Sequence, residues 1–434
     1  MNDFGKKTLA GLLSDDPEIE FKIKSNIELH RKGFCTLNLS YADGSSIHRA
    51  DIRIRQIRHE FLFGANAFML GEFDSKEENV AYEDLFTGVF NTAVLPFYWT
   101  GLEPEDGKIR FSKDSPKYYR RPTPELGLDF CKKYHLNAKG HPLSWHSYWP
   151  EWVEKNPRRA MGRLQQRFEE LARLCNQEIM VWDVVNEAQT RYFLERTTLP
   201  RFPRGYVEEI FRMAAFYFPE AQLFYNDDRC WWNHQLDYSP VYLLVEKLKN
   251  AGCRVDGLGM QFHMFEHLFG ELPRFFNPNY LYHCFDLYAQ LNLSLAISEI
   301  SILGNDLYFG KGEGAVFQRL AAEKLYRLWF SHPNMTSIIW WNLINNTAIN
   351  ASQDKFQAGL IERDFTPRPA YQALKNLICK EWNTSLDFQY EAGKLNKFQG
   401  FYGDYTLEII TDAGKFTKEI KLTREDYNIQ NITL

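Results

Sequence analysis

This 434-residue chain is poor in the features that tie a protein to a metal, a membrane or a nucleic acid. Its seven cysteines (Cys35, Cys131, Cys175, Cys230, Cys253, Cys284 and Cys379) are odd in number, scattered, and nowhere spaced as CxxC. A complete disulfide framework is excluded and no zinc site is expected; scattered cysteines are usually small buried hydrophobes in a reducing compartment. No apolar run is long enough to cross a bilayer, so no membrane partner is expected. The start, MNDFGKKTLAGLLSDDPEIEF, turns acidic after a short apolar patch and lacks a small-residue cleavage site. As it stands the sequence reads as cytoplasmic, and as secreted or periplasmic if a signal peptide has been removed. Neither charge sign is blocked: 51 Lys and Arg face 56 Asp and Glu, for a net charge of −5, and no basic stripe points to nucleic acid. A GxxxxGK[ST] phosphate loop, an HExxH pair and a GxSxG elbow are all missing, so no nucleotide, metal or other cofactor is expected.

What is present is a 44% hydrophobic, 25% charged globular composition rich in aromatics, with 11 Trp and 23 Tyr. Most of those rings serve a core, although sugars also stack on exposed aromatics. The length exceeds one ordinary domain and fits a barrel of roughly 250 residues plus a smaller module. Eight apolar strand-like runs occur at 61–66, 92–97, 137–144, 179–187, 222–227, 256–263, 295–302 and 337–343. Amphipathic helical patterns fall between them, clearest over Met161–Cys175, 207–218 and 321–330. Strands alternating with helices imply parallel units, and eight of them imply an α/β fold of the (β/α)₈ TIM-barrel type over 59–383. At the ends, FCTLNLSY and DIRIRQIR flank Ala42-Asp43-Gly44-Ser45, while YTLEIIT and FTKEIKLT flank Asp412-Ala413-Gly414. Each reads as a β-hairpin, and hairpins are not stable alone. Segments 20–58 and 384–434 are therefore expected to join in one small β-module. Tyr390, Phe398, Phe401, Tyr402 and Tyr405 are its only hint of sugar binding, so a structural role is expected.

Barrel strands buried on both faces should be apolar throughout, yet several of these end in residues that are costly to bury. The third run carries His141 and is followed by Trp145 and His146, the fourth ends Asn186-Glu187, and the fifth ends Asn226-Asp227. The sixth carries Gln261 and His263, the seventh Glu299, and the eighth Trp340, Trp341 and Asn342. Alone, each has a plain explanation as a loop cap, a bonded core histidine or a packed ring. Six strands doing this at their C-terminal ends, the face where barrels build active sites, is a joint signal. Two carboxylates on the fourth and seventh strands are the pair that hydrolysis of a glycosidic bond requires. A retaining mechanism would place their carboxyl groups about 5–5.5 Å apart.

These segments resemble glycoside hydrolase family 10, the endo-1,4-β-xylanases. WDVVNEA (182–188) is similar to the family's acid/base strand, and GHPLSWH (140–146) looks like its GHTLVWH. VDGLGMQFH (255–263), AISEISI (296–302), LFYND (223–227) and RPAYQAL (368–374) match further strands and the closing helix, over about 59–380. The resemblance implies a retaining hydrolase of β-glycosidic bonds in xylan-derived or related plant saccharides. Glu187 takes the position of general acid/base and Glu299 that of nucleophile. His141, Trp145, Asn186, Asn226, Gln261, His263, Trp340, Trp341 and Tyr98 then support or bind the substrate. His263 would orient Glu299, Asn186 would bond the sugar 2-OH, and apolar walls together with Glu299 would raise the Glu187 pKa. The second strand departs: the family's Glu, Asn and Lys before a Trp are replaced by Val94, Leu95 and Tyr98 ahead of Trp99. WWNLINN likewise replaces the family's eighth-strand continuation. The reaction class is thus better specified than the sugar. A non-catalytic carbohydrate-binding barrel and a transglycosylase with the same carboxylates are the alternatives. The partner expected is a carbohydrate, and nothing in the sequence speaks to oligomeric state, linkage, or endo against exo action.

Overall fold

The computed structural model describes the chain except for residues 156, 176, 190–204, 232–237, 350 and 425–427. Eight strands form the central sheet: β1 (Leu62–Asn66), β2 (Thr92–Pro96), β3 (Asn137–His141), β4 (Val181–Asn186), β5 (Gln222–Asp227), β6 (Gly257–His263), β7 (Ser294–Ser301) and β8 (Met335–Trp340). Each pairs in parallel with the next, and β8 returns to β1 through Ser337↔Leu62 and Ile338↔Phe63, so the sheet closes. Helices intervene, among them Ala160–Cys175, Tyr206–Tyr217 and Gly314–Ser331. This is the eightfold barrel that the alternation predicts. The strands lie at the positions of the eight apolar runs because only residues buried on both faces can be apolar throughout.

Closure leaves no sheet edge, so irregularities in the ladder have to be local. Two occur on the strands that carry carboxylates. In β4 the register slips between Asp183 and Val185, and in β7 between Ile297 and Glu299. An extra residue of this kind bends the strand and re-aims the side chains beyond it.

The terminal segments differ from expectation in two respects. Strands Lys32–Ser40 and Arg49–His59 do not pair as a hairpin; apart from the lone bridge Ser40↔Ser46 they enter separate sheets. The first lies between Lys397–Phe401 and Ile429–Thr433, the second between Ser385–Glu391 and Gly403–Thr411. Cys35, Leu37 and Leu39 from one sheet and Ile52, Ile54 and Leu407 from the other fill a single core. Pairing with C-terminal strands lets both apolar faces turn inward from opposite sides, which a local hairpin in one sheet would not do. The C-terminal hairpin forms as expected, Gly403–Thr411 against Gly414–Leu422. Tyr390, Phe398, Phe401 and Tyr405 are buried.

Residues 20–31, expected within the β segment, belong instead to the helix Pro17–Arg31. Asp16 caps its Glu18 N–H at 3.0 Å and Pro17 opens it, while Ile19, Ile23 and Ile27 make one stripe against the barrel. Arg31 ends the helix inside the protein, donating to the carbonyls of Phe330 (2.6 Å) and His332. Truncation after residue 383 removes the partners of both N-terminal strands and uncovers Leu37, Ile52 and Ile54. The shortened chain is expected to be insoluble or to melt several degrees lower in a thermal scan; a soluble product with an unchanged Tm would contradict this.

Candidate active site

The polar strand ends meet at one mouth of the barrel. Glu187 follows β4 with φ +55°, a left-handed conformation that costs a non-glycine residue of the order of 1–3 kcal/mol. Its N–H donates to the Asn226 carbonyl at 2.8 Å, which fixes the turn and holds the carboxyl over the mouth. Glu299 projects from β7 beyond the bulge and is 4% exposed.

Three amides connect the two acids. Asn226 Nδ2 donates to Glu299 Oε1 at 2.9 Å and to Asn186 Oδ1 at 2.7 Å. Asn186 Nδ2 donates to Glu187 Oε1 at 3.2 Å, and Gln261 Nε2 reaches Glu187 Oε1 at 3.0 Å and Asn186 Oδ1 at 3.2 Å. The second oxygen of Glu299 faces His263 Nε2 at 3.3 Å, while His263 Nδ1 is bonded to Ser301 Oγ at 2.8 Å.

A buried charge chain stands behind Glu299. Lys139 Nζ lies 3.0 Å from Asp183 Oδ1, and Asp183 Oδ2 lies 2.8 Å from His141 Nδ1. A carboxylate can only accept, so this contact puts the imidazole hydrogen on Nδ1 and leaves Nε2 as an acceptor. Nε2 sits 3.9 Å from Glu299 Oε1 and has no hydrogen-bond partner among the described residues. Burial works to raise the Asp183 pKa, but Lys139 and His141 outweigh it and hold the carboxyl below its ordinary value. Glu187 shifts the other way. Burial, then Asp228, then Glu299 push its pKa well above that of a free glutamate. Asp227 is also raised, by burial and by Asp228, but it is turned to the backbone N–H groups of Gln189 (3.1 Å) and Arg229 (3.0 Å) and serves the loop.

The cavity at this mouth has a volume of about 440 Å³, with Glu187, Glu299, Gln261, His263, Trp145 and Trp341 among its walls. A larger groove of about 980 Å³ lies at the opposite end of the barrel, beside His59 and Asn91. Its Asp404 is spent on Arg58 at 2.7 Å, and nothing there resembles a poised acid.

A family model for Glycosyl hydrolase family 10 matches residues 75–377, more than half of the chain. The chain belongs to glycosyl hydrolase family 10. It is 25% identical over 407 residues to endo-1,4-beta-xylanase 2 of Arabidopsis thaliana, covering 91% of this chain and 34% of that one. It is 27% identical over 270 residues to a beta-1,4-xylanase of Dictyoglomus thermophilum, covering 60% and 70%. The chain thus spans about a third of the plant relative's length. Xylanase 10B from Thermotoga petrophila RKU-1, solved with xylobiose, superposes with a TM-score of 0.57 at 20% identity, covering 74% of this chain and 95% of that one. At that identity the likeness speaks for the fold.

Of the residues singled out from sequence, Glu187, Glu299, Trp145, Gln261, His263 and Trp341 line the cavity, and His141, Asn186 and Asn226 stand directly behind it. Trp340 does not: it is fully buried in the barrel core, its Nε1 donating to the Ala358 carbonyl at 2.9 Å. Consecutive strand residues face opposite ways, so only one of the Trp340-Trp341 pair can face the mouth. Tyr98 is 4% exposed and belongs to the wall described below. Leu95 points away from the mouth, toward Gly127 on the helix Pro124–Tyr134.

The sequence reading missed Asp183 and Lys139, although opposite charges inside adjacent apolar strands were a usable signal. Asp228 was missed too, and a polar loop residue gives no such signal. Asp183→Ala strands Lys139 as an unpaired buried charge. It is expected to cost roughly 3–5 kcal/mol of stability, measured by chemical denaturation.

Proposed function

We propose that the chain is a retaining glycoside hydrolase that cuts β-1,4 bonds between sugars of a xylan-type chain by double displacement. The observation that carries this reading is the unlike setting of two neighbouring acids. Glu187 is pushed toward its neutral form by burial, Asp228 and Glu299, whereas Glu299 is oriented by Asn226 and His263. The named xylanases among its relatives give the substrate class.

In the first step Glu299 Oε attacks the anomeric carbon while Glu187 delivers its proton to the departing glycosidic oxygen. The carbon–oxygen bond to the leaving sugar breaks as the bond to Glu299 forms, giving a glycosyl ester. Esterification removes the Glu299 charge, one of the causes that raised the Glu187 pKa. Glu187, now a carboxylate, takes a proton from water, which attacks the same carbon and releases Glu299. His141 Nε2, buried 3.9 Å from Glu299 Oε1 and without a hydrogen-bond partner among the described residues, would accept a hydroxyl of the sugar over Glu299. Asn186 has a second Nδ2 hydrogen to offer the adjacent hydroxyl while it keeps Glu187 in place.

Glu299→Ala is expected to lower kcat on aryl β-xylosides on the order of 10⁴-fold, with azide restoring turnover as an α-glycosyl azide. Glu187→Ala should lower kcat/KM about 10²–10⁴-fold for poor leaving groups and spare kcat/KM for activated ones such as dinitrophenol, whose kcat still falls because the second step loses its base. Binding without turnover across aryl xylosides and glucosides would favour a carbohydrate-binding barrel instead. Transfer products at high acceptor concentration would mark a transglycosylase.

Activity requires protonated Glu187, so it should fall as pH rises through a pKa that lies above the ordinary carboxylate range. Asp228→Asn removes the foremost negative charge acting on Glu187 and lowers that pKa. The alkaline limb of the kcat/KM profile should therefore move to lower pH; an unmoved limb would assign it to another group.

A further inference from the structure

The cavity is walled by residues on or after β3 to β8 and by none from β1 or β2. In their place Phe68 after β1, Val94 on β2, Tyr98 after β2 and Ile339 on β8 form a separate apolar cluster, none of them more than 4% exposed. Phe68 packs edge-on against Tyr98 (5.7 Å between centroids) and Trp341 (5.3 Å), and Tyr98 packs edge-on against His141 (5.5 Å). The cluster therefore abuts the histidine that faces Glu299.

The segment between β2 and the helix Pro124–Tyr134 locks this cluster from outside. The Arg121 guanidinium lies 3.8 Å from the centre of the Tyr98 ring. Arg120 donates to Asn342 Oδ1 at 2.7 Å and to the Thr347 carbonyl at 2.6 Å, and the Tyr119 hydroxyl reaches the same carbonyl at 3.0 Å. These bonds join the β2 loop to the β8 loop. Arg120 also holds φ +58°, and among the described residues no carboxylate lies within ion-pair distance of Arg120 or Arg121. Two buried cations and a left-handed non-glycine residue are tolerated only where the surrounding contacts over-determine the structure. The wall is a fixed part of the barrel mouth.

Its side of the cleft follows from the chemistry. The sugar under attack lies over Glu299 and the leaving sugar lies at Glu187. Around the closed sheet, β1 stands opposite β5 and β8 opposite β4, the strand that leads into Glu187. The wall therefore occupies the place where the retained chain would continue past the attacked sugar. Among the described residues, Asp228 and Arg229 line the cavity on the leaving-group side.

We infer that the Phe68–Tyr98–Arg121 wall ends the glycone side of the cleft after one sugar, so that the enzyme removes single sugars from non-reducing chain ends. This rests on the hydrolase reading above. The test compares initial rates of phenol release from an aryl β-xyloside and an aryl β-xylobioside, alongside product analysis of reducing-end-labelled xylohexaose. The wild type should release phenol from the xylobioside at least about tenfold more slowly, since its second sugar would clash with the wall. Labelled products should shorten by one sugar at a time. Tyr98→Ala and Arg121→Ala should each raise the xylobioside-to-xyloside ratio of kcat/KM; if either variant fails to fold, the wild-type comparison decides alone. A wild type that prefers the xylobioside or cuts xylohexaose internally, in a Glu299-dependent manner, overturns the inference and leaves the hydrolase reading standing. Turnover of neither substrate overturns the hydrolase reading, and this one with it.

Discussion

Two carboxyl groups share one mouth of the barrel, Glu187 pushed toward its neutral form, and the polar residues of that face are arranged around the pair. Like charges close together in a low-dielectric site repel strongly, so one acid is driven to keep its proton. Asn186, Asn226 and Gln261 bridge the pair without adding charge. Asn186 both donates and accepts while Asn226 and Gln261 donate, so the network holds the two acids in fixed relation and leaves the balance of charge to them. Charged residues in those three positions would bias that balance directly. The bulges in β4 and β7 serve the same end, since they turn Glu187 and Glu299 toward the mouth without breaking the closed ladder.

Behind Glu299 the barrel carries a second electrostatic layer. Lys139 and His141 lie two residues apart on β3 and so share a face, and Asp183 on the neighbouring β4 meets both. The Asp183 carboxylate fixes which nitrogen of His141 is protonated, and so what that ring offers to a sugar. Lys139 in turn balances Asp183. Removing any member exposes the next to an uncompensated burial cost, which makes the chain interdependent as well as local. Glu299 is therefore oriented in part from inside the barrel, by residues of β3 to β7.

The parts of this arrangement that were legible in the sequence are those with a periodic or exclusionary signal. Eight apolar runs separated by amphipathic segments allow few alternatives to a closed parallel sheet. A Glu at the end of such a run stands out because burying it is expensive. The pairing of strand Lys32–Ser40 with the C-terminal Ile429–Thr433, by contrast, depends on a partner some 400 residues away, while the nearby Asp43-Gly44 turn offers a plausible local hairpin. Trp340 and Trp341 look equivalent as letters, and only the strand's two-residue alternation separates a core ring from a cavity ring. Arg120 and Arg121 lie in a polar loop whose composition resembles any surface segment. Arg120 is bonded to Thr347 and Asn342, more than 200 residues later, and Arg121 lies on the Tyr98 ring. The replacement of polar residues on β2 was visible; what filled the space was not, because Phe68 comes from a different strand.

That filling also bears on the acid pair. Tyr98 packs on His141, and His141 and Glu299 are 1% and 4% exposed, so the side of Glu299 that faces His141 is screened by rings. Where water is excluded, the repulsion between Glu299 and Glu187 is less screened and the amide and imidazole contacts to Glu299 count for more. An open, water-filled cleft at that position would weaken both effects. The apolar wall and the raised pKa of Glu187 are thus parts of one electrostatic arrangement. Exchanging hydroxyl-binding side chains on β2 for hydrophobic ones alters the environment of the acid pair as well as the space beside it.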